Sequence, residues 1–181
     1  IGIYPGLGGT QRTTRICGIE CARFSVLAGN FLDSGTARAM GLVTHLVDPS
    51  EVGATIASLV GTKPDEKYPG KPSEETSPVV SFASTFYSDT NMESISMGKC
   101  PEGFDLNDKS VERQLKMLSR SAPIALEIAG YLLNVAIITG NDLGRGLSME
   151  LENLEKIFGT ADALEGLSAL IEGRRPEYNN S

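Results

Sequence analysis

The sequence predicts a mainly helical chain with few strands, on three observations. Apolar residues recur at helical spacing in the second half, where Leu143, Leu147, Leu151, Leu154 and Phe158 stand four, four, three and four apart. Asx or hydroxyl residues ahead of helix formers, with glycines behind them, punctuate the chain at helix-length intervals. One short run alone, GLVTHLVD at 41–48, reads as a strand or extended edge, through Leu42, Val43, Leu46 and Val47.

The elements follow in order. The chain opens IGIYPGLGGTQRTTR, with four glycines and a proline in the first nine residues and no acid before Glu20. A helix starts after Gly8-Gly9-Thr10, breaks near Gly18 and resumes to Gly29. Asp33-Ser34 starts a short helix that Gly41 stops, and Pro49-Ser50 opens another through Val60. From 61 to 78 the composition changes to four prolines without apolar periodicity, which reads as a linker or surface excursion. Short helices with weak boundaries are expected up to about Asp108. Regular helix returns at 109–120, 123–139 and 142–158. A last helix is expected to start at Asp162, whose side chain caps it while Glu165 reaches back. The organisation is then 1–60, 61–118 (linker and insertion) and 119–181 (helical oligomerisation region).

Two of these helices differ in kind. In 142–158 the leucine stripe is expected to dock while Glu150, Glu152, Glu155 and Lys156 fill other faces. In 123–139 apolar residues surround the helix, which needs cover on several sides from its own chain or a partner's.

The 181 residues carry a net charge of −7, with 40% hydrophobic and 22% charged residues. That describes a globular chain able to bury a core, and it argues against nucleic acid as a partner, which needs clustered Lys and Arg. Cys17, Cys21 and Cys100 form no CxxC pair and His45 is the single histidine, so neither a metal site nor a disulfide framework is expected. The apolar run 128–140 is too short for a bilayer and carries Asn134, so no membrane partner is expected. A reducing, cytoplasmic location is the expectation.

The opening turn is not a nucleotide loop. A dinucleotide fingerprint fails because its third glycine is Gln11, and a Walker loop fails for want of Gly-Lys-Ser/Thr. What remains is a bend that lets the backbone approach closely, followed by a helix start with free N–H groups. It can hold a water, an oxyanion or a carboxylate, or serve only as a corner.

The stretch 1–48 resembles the enoyl-CoA hydratase/isomerase (crotonase) superfamily through Pro5, Gly6, Gly8, Gly9, Thr10, Gln11, Arg12, Arg15, Gly18, Ala22, Leu27, Gly29, Ala37, Gly41, Leu42 and Val43. SAPIALEIA and FGTADALEGLSALIEGRRPEY resemble the same family's later helices, with Leu170 and Gly173 departing from its Phe and Lys. The middle, 61–118, fits a hydratase poorly and faintly resembles the 3-hydroxyisobutyryl-CoA hydrolase branch. The resemblance implies an α/β crotonase (ClpP/crotonase-like) fold in a longer parent, of which this chain is the mainly helical C-terminal part.

It also implies an activity, hydration of trans-2-enoyl-CoA in fatty-acid β-oxidation, with isomerase, thioester hydrolase or a non-catalytic oligomerisation module as alternatives. The substrate is then an acyl-CoA thioester, with no separate cofactor. Gly6 presents its backbone N–H toward the catalytic water and Pro5 shapes the turn, while Arg174 and Arg175 are candidate contacts to the coenzyme phosphates. Arg12 and Arg15 are expected to be structural, and His45 non-catalytic. In the family the two catalytic glutamates precede this turn, so the chain is expected to be part of a larger polypeptide and inactive alone. Fusion behind a 3-hydroxyacyl-CoA dehydrogenase, and assembly into a homo-trimer or hexamer, are further expectations of the resemblance.

Overall fold

A computed structural model describes residues 1–62 and 69–181, so the 63–68 part of the expected linker lies outside the described residues. Among these there are helices and no strand: α1 (Gly9–Cys17), α2 (Ile19–Val26), α3 (Ser34–Ala39), α4 (Val52–Leu59), α5 (Pro78–Phe86), α6 (Asp89–Ser96), α7 (Lys109–Leu118), α8 (Pro123–Ile138), α9 (Leu143–Glu152), α10 (Leu154–Phe158) and α11 (Ala161–Glu172). No single helix among the described residues is long and apolar enough to cross a membrane.

α8 is the axis. Pro123 opens it at a first-turn position that has no N–H to lose, and it buries Ala125, Ile128, Ala129, Leu132, Leu133, Val135 and Ala136. α1, α2, α9 and α10 pack against it, so its own chain covers most of its apolar surface; Tyr131, Ile137 and Ile138 stay exposed. α2 carries α5 on its other side. There Phe24, Phe82, Phe86, Tyr87 and Phe104 form an aromatic cluster, with Phe86 and Phe104 edge to face at 5.1 Å between centroids. Residues 78–118 therefore contribute to the same core as α2.

Several starts and stops fall where the sequence puts them. Asp33 caps α3 by accepting from Thr36 N–H at 2.7 Å. Gly41, at φ +80, ends that helix: its N–H donates to Arg38 O and Leu42 N–H to Ala37 O, both at 2.9 Å. Gly18 divides α1 from α2, and Asp108 caps α7 through Ser110 N–H at 2.7 Å.

Four expectations are corrected, each for a local reason. Residues 42–48 form no strand, because Ala37 O takes the Leu42 and Val43 N–H groups and no neighbouring strand offers a ladder. The helix expected over 142–158 is two: Asn153 divides it, its side-chain amide donating back to Met149 O at 2.8 Å in competition with regular helix bonding. The leucine stripe docks only in part, with Leu143, Leu147 and Leu154 half-buried and Leu154 against the core. The fully buried residues of α9 are Gly146 and Glu150, while Leu151 of α9 and Phe158 of α10 are exposed. The last helix is capped by Thr160, whose hydroxyl accepts from Ala163 N–H at 3.0 Å, not by Asp162. Asp162 is buried and accepts from Asn179 N–H (2.7 Å) and Asn180 N–H (3.1 Å), which folds the C-terminal tail back onto α11.

Candidate functional site: the glycine turn

Residues 4–10 make a tight turn that runs straight into α1. Gly9 N–H donates to Gly6 O at 3.2 Å and Arg12 N–H to Gly8 O at 2.8 Å. Leu7 (φ +56) and Gly8 (φ +88) are both left-handed, which reverses the chain within two residues. The Arg12 guanidinium donates to Leu7 O at 2.6 Å and braces the tip.

Gly8 is the N-cap of α1 and has no side chain with which to cap it. The acceptor comes from the other end of the chain. Glu150 of α9, 2% exposed, takes the Gly8 N–H on Oε1 and the Thr10 hydroxyl on Oε2 at 2.5 Å. Tyr4 adds a third tie, its hydroxyl donating to Glu150 O at 2.6 Å. A carboxylate at a helix N-terminus meets both the orphan donors and the positive end of the helix dipole. The acid-free opening stretch thus has its acid, supplied across the fold.

Apart from Cys17, the inward face of α1 is polar. Gln11 donates to Leu132 O at 2.7 Å, breaking into the α8 surface with a satisfied amide. Arg15 spans the α8–α9 corner, donating to Gly140 O (2.9 Å), Thr139 Oγ1 (2.7 Å) and Asp142 O (3.3 Å). A buried cation at a helix C-terminus is what the dipole and the orphan carbonyls favour. Arg12 and Arg15 thus both bond backbone carbonyls, at the turn's tip and at the α8–α9 corner.

On the turn's other side lies an apolar cavity of about 560 Å³, lined among others by Ile3, Tyr4, Pro5, Gly6, Val26 and Leu32. Gly6 is half-buried there, and its N–H has no acceptor among the described residues. A Cβ on Gly6 would meet only Leu154 Cδ2 at 3.8 Å, so the position is not crowded. Among the described residues no carboxylate lines this cavity. The arrangement can offer one backbone donor to a polar atom of a ligand whose body is apolar.

The other sequence candidates lie elsewhere. Pro5 borders the same cavity, whereas Arg174 and Arg175 do not line it. Arg174 is gripped by two carboxylates: Nε donates to Glu172 Oε2 at 2.5 Å, and Nη1 and Nη2 to Glu165 Oε1 and Oε2 at 2.5 and 2.7 Å. A phosphate there competes with both. The same contacts, with Glu177 N–H, pull the Glu165 carboxyl down to about 2. His45 is exposed, its Nδ1 2.9 Å from Thr44 Oγ1, in a groove with Val47 and Ile56. Burial pushes Cys17 up to about 12 and Cys21 up to about 11, so both are packed, protonated thiols. Among the described residues no three His, Cys, Asp or Glu side chains converge as metal ligands.

Glu150 is a residue that the sequence pattern puts on a face other than the docking stripe. Its signal was available in Gly146, one turn earlier on the same face, where a Cβ would come within 2.3 Å of Gln11 Oε1. A glycine in mid-helix marks close approach, and close approach is what delivers Glu150 to α1.

The geometry now has relatives to set beside it. The enoyl-CoA isomerase/hydratase fer4 of Mycosarcoma maydis is 33% identical over 178 residues, 98% of this chain and 44% of that protein. The short-chain-enoyl-CoA hydratase of Clostridioides difficile is 41% identical over 49 residues, 27% of this chain and 32% of that protein. The enoyl-CoA hydratase domain-containing protein 2, mitochondrial, of Bos taurus is 42% identical over 52 residues, 29% of this chain and 18% of that protein. The chain spans less than half the length of these relatives. No solved structure matches it. The family profile described as enoyl-CoA hydratase/isomerase matches residues 1–181, turn and later helices together, and the chain belongs to the enoyl-CoA hydratase/isomerase family.

Proposed function

We propose that the chain forms part of a site that adds water to a trans-2-enoyl-CoA thioester, as in fatty-acid β-oxidation. The observation that carries this reading is Gly6, an N–H donor without an acceptor among the described residues, at the rim of an apolar cavity. The relatives named as enoyl-CoA hydratases support the substrate class.

In this reading the acyl chain lies in the cavity and the Gly6 N–H holds the attacking water by its oxygen. Water adds at C3 and a proton at C2, so the step needs an acid–base group to move that proton. The described residues of the cavity's lining include no carboxylate or histidine, and we infer that this chain binds the thioester without turning it over alone.

Titration of the 181-residue chain with crotonyl-CoA, followed by a hydration assay on the same sample, tests both halves. Saturable binding without loss of the enoyl absorbance is expected. No binding overturns the proposed substrate, and turnover overturns the inference that the chain does not act alone.

A further inference from the structure

We propose that Glu150 is a positioning residue for the Gly6 N–H, an inference that rests on the reading of the glycine turn just given. Three groups within seven residues, Tyr4 Oη, Gly8 N and Thr10 Oγ1, all end on this one residue of α9, more than 130 positions away. They bracket Gly6 from both sides. Within the bracket the turn's own backbone bond is the 3.2 Å contact from Gly9 N–H to Gly6 O.

Burying a carboxylate is costly, and the hydrogen bonds given to its two oxygens among the described residues come from one amide and one hydroxyl. An aliphatic residue at 150 would avoid that cost and still fill the space. What only an acceptor can do is hold the Gly8 N–H and the Thr10 hydroxyl at fixed points, and through them the direction of the peptide two residues earlier. The seam is built to bring it there, since Gly146 lets α9 approach Gln11 and Arg15 ties α1 to the α8–α9 corner. The Gly6 N–H therefore points where α9 directs it.

Hydration turns the water oxygen into the 3-hydroxyl of the product, so a ligand bearing that hydroxyl reports on the donor directly. The wild-type chain is titrated with 3-hydroxybutyryl-CoA and with butyryl-CoA, which differ only in that group, and the ratio of the two dissociation constants is compared among variants. Wild type should favour the hydroxyl ligand about fivefold, the size expected of one hydrogen bond. Glu150→Met keeps the volume and removes the acceptor, and should bring the ratio close to one. Glu150→Gln keeps an acceptor for Gly8 N–H and should restore most of the preference.

A residue that only packs would change both affinities together and leave the ratio alone. An unchanged ratio in Glu150→Met therefore overturns the proposal while the reading of the site survives. Absence of binding, or of any preference, in wild type overturns the reading itself and the inference with it. Should Glu150→Met fail to fold, Thr10→Val decides, since it removes one of the two side-chain ties from the other partner; it too should lower the ratio, and an unchanged one counts against Glu150.

Discussion

Leu7 sits in the left-handed region at φ +56, unusual for a γ-branched residue, and its side chain is 92% exposed. The conformation costs about 1 kcal/mol, and the exposed side chain recovers little of it by packing. The turn is held in this shape by its ties on either side, Tyr4 and Gly8 to Glu150 and Leu7 O to Arg12. Leu7→Gly should therefore stabilise the chain by up to about 1 kcal/mol, read as a higher urea midpoint with an unchanged slope. A loss of stability would mean that the leucine side chain packs in a way its exposure does not suggest. Much of this turn was legible in the sequence, because glycine and proline spacing reports backbone shape. Its partner was not, because Glu150 lies beside a leucine stripe that reads as the buried face, and periodicity records only apolar burial.

At the scale of elements, the α1–α9 seam replaces an apolar interface with a polar one, and Gly146 is what allows it. A methyl there would fall 2.3 Å from Gln11 Oε1 and 3.1 Å from Arg15 Nη2. Neither side chain can yield cheaply, since Gln11 is fully buried and bonded to Leu132 O while Arg15 holds the α8–α9 corner. Gly146→Ala raises helix propensity by up to about 1 kcal/mol, yet overpacking of this kind costs about 1–3 kcal/mol. A net loss of about 1–2 kcal/mol in urea denaturation is expected, and a gain would show that the seam is looser than its bonds imply. Helix starts were legible at Asp33 and Asp108, where the acidic residue caps its own helix. They were misplaced where a side chain is called elsewhere in the fold. Asp162 answers the C-terminal tail and Glu165 answers Arg174, which leaves Thr160 to cap α11.

Over the whole molecule, the two ends of the chain are packed on one helix. A Cβ on Gly166 of α11 would meet the Ile1 backbone at 2.3 Å, and Asp162 N–H donates to Ser181 O at 3.0 Å. The tail is held along α11 by two carboxylates, Asp162 at its end and Glu165 where it leaves the helix, and the opening residues lie against the same surface. The Glu165 carboxyl is held at about 2, below its ordinary 4.5, first by the Arg174 side chain and then by Glu177 N–H. The folded form thus binds that proton less readily than the unfolded form. The stabilisation is fully present above pH 4.5 and is lost as pH falls from there through about 2. Because the group faces solvent, its effect should be local detachment more than global unfolding. Amide exchange of Glu177 followed across that window should accelerate beyond the intrinsic pH trend, while the amides of α8 remain protected. Glu165→Gln removes the titrating group, and in that variant the excess acceleration should vanish. If it persists, Glu165 is not the acid-labile anchor of the tail.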